Sequence, residues 1–235
     1  MKVMDANELY DPEFRKLIKS KKQTVIIPVG SLEQHGAHLP ITTDSDIVTE
    51  IASRLAKKCG FIVFPTISYG FSLEHAPLFN TSITATTLKP ILSDITDSLL
   101  ENGIRKFCIL NGHHGNVKPL DAYQALFQHT YKIRLHVCSY WKYMEHEFDH
   151  AGFVETSLML AISDKVKMKK AKKGLVIMNM SLMEQQRIAK LATKPGGFPR
   201  VTENGVWGDP TGATKKDGEK FLAEIVRNLA KECQS

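Results

Sequence analysis

The sequence predicts an α/β fold, a mainly parallel central sheet covered by helices on both faces. Three observations carry that expectation. Short β-rich apolar runs alternate with segments of helical periodicity along most of the chain, the pattern of repeated βαβ units. The run Val25-Ile26-Ile27-Pro28-Val29 is continuously apolar, as a strand buried on both faces should be. With 235 residues, 43% of them apolar, and no internal repeat or low-complexity linker, the chain is expected to form one domain over residues 1–235.

Taken in order, Asp5 to Ser20 reads as an amphipathic helix with Leu9, Phe14, Leu17 and Ile18 on one side. Thr24 to Val29 is the first strand. A polar loop follows Gly30, and Asp44 or Ser45 caps a helix to about Lys58, where Ile47, Ile51 and Leu55 recur at helical spacing. Gly60 ends that helix, and Phe61 to Phe64 is a second strand closed by Pro65. The irregular stretch Ser68 to Asn80 is long for a plain connection, which points to function. Thr87 to Glu101 is a helix stopped at Asn102-Gly103. Lys106 to Leu110 is a third strand, followed by a helix to about Tyr131 and a fourth strand, Ile133 to Tyr140. Glu155 to Ile162 is helical, Leu175 to Met178 suits a fifth short strand, and Lys194 to Pro199 is loop. A last helix runs from Lys215 to about Lys231.

Composition narrows the function classes. No apolar run reaches the length of a membrane span, and Met1-Lys2-Val3-Met4-Asp5-Ala6 turns polar at once, so the expected location is the cytoplasm, with no membrane partner. Cys59, Cys108, Cys138 and Cys233 form no C-x-x-C pair and read as free thiols. The net charge of +6 owes much to Lys165, Lys167, Lys169, Lys170, Lys172 and Lys173. A solvated face accounts for that cluster as well as an anionic partner does. With no nucleic-acid-binding signature beside it, no nucleic-acid partner is expected.

The chemistry concentrates in loops. Glu33, His35, His38 and Asp44 follow the first strand, and His113 and His114 follow the third, between Gly112 and Gly115. In a parallel sheet, sites form at the C-terminal ends of strands, so these groups fall at one edge by topology alone. Carboxylates and imidazoles are ligands of zinc, manganese or iron. Taken singly, Glu-x-His is a common tripeptide and His-His a polar turn; their convergence favours a metal site. Two divalent ions bring +4, which Glu33, Asp44 and a bridging hydroxide reduce by three. Glu155 is the first candidate for the remaining carboxylate, as a ligand or as a general base. One ion with fewer ligands satisfies the same count.

The blocks Pro28 to Pro40 with Asp44, Ser72-Leu73-Glu74-His75, Asn111-Gly112-His113-His114-Gly115-Asn116, His150-Ala151-Gly152-Phe153-Val154-Glu155-Thr156-Ser157 and Gly208-Asp209-Pro210-Thr211 together resemble the creatininase family (creatinine amidohydrolase-like enzymes). The resemblance implies a three-layer α/β/α sandwich, often assembled as a hexamer, with a two-metal amidohydrolase site. By position, Glu33 and His113 match ligands of one ion, His35 a ligand of the other, and Asp44 the bridging carboxylate. His150 and Glu155 match residues at the substrate, with Glu155 at an acid implicated in catalysis, and Ser72 and His114 match substrate contacts. The chain departs from the family pattern at Gly115, where creatininase proper carries a metal-binding glutamate, and at Phe79-Asn80-Thr81, where Pro-Gly-Thr is usual. The glycine form resembles other branches, a formylamino-pyrimidine nucleotide deformylase of flavin and deazaflavin synthesis and a peptidase that trims a modified precursor peptide.

The expected function is hydrolysis of a non-peptide or cyclic amide C–N bond in a small molecule. Two divalent ions bridged by Asp44 would acidify a shared water, and Glu155 or His150 would protonate the leaving nitrogen. The alternatives are the formamide deformylase and a non-catalytic, metal-stabilised homo-oligomer that binds a small ligand. Loops 69–80, 141–153 and 194–207 are expected to select the substrate.

Overall fold

The computed structural model describes residues 4–19, 23–147 and 149–234. Its sheet has five strands, β1 (Met4–Asp5), β2 (Thr24–Val29), β3 (Ile62–Val63), β4 (Lys106–Asn111) and β5 (Leu135–Ser139). They lie in the order β1-β3-β2-β4-β5, all parallel. Seven α-helices surround the sheet among the described residues: α1 (Asp11–Ile18), α2 (Thr43–Cys59), α3 (Ala85–Glu101), α4 (Val117–Tyr131), α5 (Phe153–Ile162), α6 (Leu182–Ala192) and α7 (Lys215–Gln234).

Strand alternation divides the core into two halves. Val25, Ile27, Val29, Phe107 and Ile109 face Ile18 of α1, Leu88, Leu92 and Leu99 of α3, and Leu120, Tyr123 and Phe127 of α4. Ile26, Cys108, Leu110 and Cys138 face α2, α5 and α7 through Ile47, Ile51, Leu158, Leu222 and Leu229. The result is the expected three-layer α/β/α sandwich. Each fully buried Leu or Ile contributes about 1.5–3 kcal/mol, so both helical layers are held by the same two-sided strands.

The strand order sets the position of the site. The chain leaves β2 for β3 on one side and leaves β4 for β5 on the other, so the connections diverge between β2 and β4. Their C-terminal ends are in register, Val29 against Asn111, and a crevice opens beyond them. The chain is pinned at that exit, where Gly30 N–H donates to Ile67 O at 2.9 Å and Gly112 N–H to Val29 O at 2.8 Å.

Several sequence expectations need correction. The first helix begins at Asp11, after strand β1 and a 3₁₀ turn over Ala6–Glu8, because Pro12 suits a first helical turn and not a helix interior. Its expected end at Ser20, like Met1 to Val3, lies outside the described residues. The segment Leu175 to Met178 is no strand; it makes a single bridge, Leu175 to Trp207. The fifth strand is β1, too short for any periodicity to announce. Helix α6 was not expected, although Ser181 caps it by accepting from Glu184 N–H at 3.3 Å, and Ser-x-x-Glu is a capping signal. No helix is long and apolar enough to cross a membrane among the described residues.

Candidate metal centre

After β2 the chain turns at Gly30 and runs irregularly to α2. Beyond β4 it passes through Gly112 into His113. These two departures bring Glu33, His35, Asp44 and His113 together, all of them buried. His113 Nδ1 stands 3.3 Å from Glu33 Oε2 and 3.1 Å from Asp44 Oδ2. His35 Nε2 stands 3.1 Å from the other oxygen of Asp44, Oδ1, and 3.5 Å from Glu155 Oε2. Glu33, His35 and His150 form one triad, and two more contain Asp44, Glu33/Asp44/His113 and His35/Asp44/Glu155, each with its ligand atoms within 4.8 Å of one another. The latter two share Asp44, one oxygen for each.

The outer nitrogens of both imidazoles are held by backbone carbonyls, which fixes tautomer and ring orientation. His113 Nε2 donates to Phe71 O at 2.9 Å, with Glu74 Oε1 at 3.4 Å beside it, and His35 Nδ1 donates to Glu33 O at 3.1 Å. Glu155 sits in the first turn of α5, where Ala151 N–H donates to its Oε2 at 2.7 Å. Asp149 caps the same turn by accepting from Val154 N–H at 3.0 Å.

Electrostatics mark the cluster as unbalanced. Burial opposes a charge on His35, yet Asp44 and Glu155 outweigh it and raise its pKa to about 10. Burial likewise opposes His113, and Glu33 and Asp44 raise it well above 6.5. Burial alone would raise Glu33; His113 and His75 overcome it and hold the carboxyl well below its ordinary range. Burial pushes Glu155 up to about 8, against the pull of His35 and with the push of Asp44. Burial, then His35 and His75, keep His150 well below its ordinary value and hence neutral.

Two oxygens test whether the residues fit a metal. Glu33 Oε1 and Asp44 Oδ2 are buried without a hydrogen bond, although imidazole nitrogens stand 3.0 Å and 3.1 Å away. Buried carboxylate oxygens are costly without compensating positive charge, which the imidazoles supply when protonated and a metal ion would supply when they are not. Mixed oxygen and nitrogen donors of this kind suit Zn²⁺, Mn²⁺ or Fe²⁺. The residues suit such ions: Glu33, Asp44 and His113 would hold one, and His35, Asp44 and Glu155 could hold a second.

Gly115 explains why a ligand from that position is absent. A Cβ there would collide with Phe71 O, Glu74 Oε1 and His113 Nε2. Glu74 and His75, given no role in the sequence beyond their place in a family-like block, are buried beside the centre. They ride on a 3₁₀ turn over Leu73–His75, and His75 Nε2 lies 3.0 Å from Glu33 Oε1. Such a turn has no periodicity to read; the adjacency of an acid and an imidazole was its one signal. His38 turns away, its Nε2 3.0 Å from Thr156 Oγ1.

A cavity of about 680 Å³ opens from the centre. His114, His150 and Glu155 line it, as expected. Ser72 does not: it is fully buried, and its backbone N–H is taken by Ser82 Oγ at 2.9 Å where the chain enters the turn carrying Glu74 and His75. The three expected loops all contribute, through Glu74 and His75, through His146, Glu147, Asp149 and His150, and through Phe198 with Trp207. Thr193, Asp209 and Thr211 add polar groups to the wall, and an apolar part that was not expected comes from Leu175 to Met178 with Ala189 and Ala192 of α6.

Two carboxylate–imidazole triads joined by one aspartate, at the switch point of a parallel sheet and beside a largely apolar cavity, define an α/β protein with a candidate metal centre. Comparison with known proteins agrees. The family model for creatininase (creatinine amidohydrolase) matches residues 7–233, and the chain belongs to that family. A mycofactocin precursor peptide peptidase from Mycolicibacterium smegmatis is 35% identical over 215 residues, covering 88% of this chain and 82% of its own. A 2-amino-5-formylamino-6-ribosylaminopyrimidin-4(3H)-one 5'-monophosphate deformylase from Methanococcus maripaludis is 30% identical over 222 residues, covering 86% of this chain and 87% of its own. A solved manganese creatininase superposes with a TM-score of 0.83 at 23% identity, covering 98% of this chain and 97% of its own.

Proposed function

We propose that this creatininase-family hydrolase uses two divalent ions to cleave the C–N bond of an amide. The observation that carries the reading is the shared Asp44, one oxygen in each triad. Glu33, Asp44 and His113 would hold one ion and His35, Asp44 and Glu155 the other. When bound, such ions supply Lewis-acid polarisation of a carbonyl and acidify water. The residues around them do the remaining work. His150 Nε2 donates to Gln34 O at 3.1 Å, which leaves Nδ1 as an acceptor facing the centre, 3.8 Å from Glu33 Oε1. Being neutral, His150 takes the proton from the attacking water at Nδ1 and returns it to the leaving nitrogen. Phe153, Phe198 and Trp207 line the cavity and keep solvent from the polarised carbonyl.

The sequence expectation of a non-peptide or cyclic amide in a small molecule is retained as the first reading. Its support is a cavity of about 680 Å³ with a largely apolar wall, the size of a small-molecule site. A second reading, a peptide amide, is favoured by the 35% identity to the mycofactocin precursor peptide peptidase. Formamide removal has its own support in the relative named as a deformylase. One panel separates them: cyclic amides, formamido-pyrimidines and short peptides, each assayed after chelation and again after adding Mn²⁺, Zn²⁺ or Fe²⁺. Metal-restored turnover of one class supports the proposal and names the substrate. Binding without turnover across the panel overturns it in favour of a metal-stabilised ligand-binding protein.

A further inference from the structure

Away from the metal centre, all four cysteines of the chain gather on the face of the sheet covered by α2, α5 and α7. Cys108 on β4, Cys138 on β5 and Cys233 in the last turn of α7 bring their Sγ atoms within 4.8 Å of one another. The sulfurs of Cys108 and Cys233 stand 3.7 Å apart. Cys108 and Cys138 are enclosed in the core, whereas Cys233 is half-buried and gives the group an edge toward solvent. Tyr143 O–H donates to Cys138 Sγ at 3.3 Å. In the β4–β5 ladder Cys108 is registered against His136, two residues before Cys138, so all three project from one sheet face.

We propose that Cys108, Cys138 and Cys233 form a separate three-sulfur site for one thiophilic d¹⁰ ion, Zn²⁺, Cd²⁺ or Cu⁺. Zinc–sulfur bonds of about 2.3 Å place tetrahedral sulfur ligands about 3.8 Å apart, close to the spacing already present between Cys108 and Cys233. Sulfur donors select ions that the oxygen-rich centre does not, so the two sites divide metals by softness. A disulfide between Cys108 and Cys233 is the rival use of the pair. It needs the sulfurs at about 2.05 Å and leaves Cys138, with its hydroxyl donor, unused. On binding, each coordinating thiol releases its proton to water, and the Tyr143 hydroxyl, 3.3 Å from Cys138 Sγ, is placed to donate to the thiolate formed there. The ion would tie the end of α7 to β4 and β5, and α7 packs along α5, whose first turn carries Glu155.

Cadmium titration of the reduced, full-length protein in excess Mn²⁺ tests this, read by the ultraviolet thiolate-to-cadmium charge-transfer band. The expected result is one Cd²⁺ per chain with a band of three-thiolate intensity. Cys233→Ser should weaken binding at least tenfold and cut the band, while Asp44→Ala, which disables only the other centre, should keep it. Cys233 is half-buried on a terminal turn, so its replacement spares the core, and the wild-type titration decides without any variant. No thiolate band in excess Cd²⁺, a band unchanged in Cys233→Ser, or a Cys108–Cys233 disulfide found by non-reducing peptide mapping would each overturn the site. None of these outcomes bears on amide hydrolysis.

Discussion

Loading the dinuclear centre with metal must expel protons, and the structure says from where. In the metal-free protein His35 titrates at about 10, His113 well above 6.5 and Glu155 at about 8, so at pH 7 all three carry a proton. Each is assigned as a ligand, and a ligand must be deprotonated to bind. About three protons should therefore leave per chain, and apparent affinity should tighten by roughly tenfold per pH unit for each of them. The contribution of Glu155 to that slope ends as pH rises through about 8, while that of His35 persists to about 10. Stability follows the same signs. The stabilisation from protonated His35 is full below its ordinary 6.5 and is lost as pH rises through about 10. Glu155, raised from 4.5 to about 8, costs the metal-free fold increasing stability across that interval, reaching several kcal/mol. Calorimetric titration with Mn²⁺ at pH 7, in buffers of different ionisation enthalpy, counts the protons. Wild type should release about three and Glu155→Gln about one fewer. Equal counts in the two proteins, or none in either, would refute the ligand assignment.

Other consequences are as direct. Asp44→Ala removes the shared ligand, so bound metal should fall to trace levels by elemental analysis and kcat by roughly 10³-fold. Gly115→Ala forces a Cβ against Phe71 O, Glu74 Oε1 and His113 Nε2; it should cost about 1–3 kcal/mol in urea unfolding and weaken metal binding through His113. Phe198 packs its ring 4.6 Å from that of His75 and 4.8 Å from that of His150, at the cavity wall. Phe198→Ala should therefore raise KM by about tenfold with a smaller change in kcat, and metal content should be unaffected.

Much of the centre was legible because it rests on topology. A continuous apolar strand that breaks into Glu-x-His, and a second that breaks into Gly-His-His, must present those residues at one end of a parallel sheet. The charge count then pointed to a third carboxylate, and Glu155 Oε2 lies 3.5 Å from His35 Nε2. What escaped has physical reasons. Helix α6 buries only Ile188 and Ala192, too narrow a stripe to stand out, and its capping serine was the one clear sign. The two-residue strand β1 is set by pairing with β3 and carries no period of its own. Leu175 to Met178 has a strand's composition, yet the segment is used as a cavity wall. Glu74 and His75 depend on a 3₁₀ turn whose direction is fixed by tertiary contacts.

The measurement closest to the central claim is anomalous diffraction from crystals soaked in Mn²⁺. Two peaks are expected in each chain, one among Glu33, Asp44 and His113, the other among His35, Asp44 and Glu155, with an Asp44 oxygen facing each. A single peak, or density that leaves Asp44 out of contact with either ion, would contradict the shared-carboxylate centre on which the proposed chemistry rests.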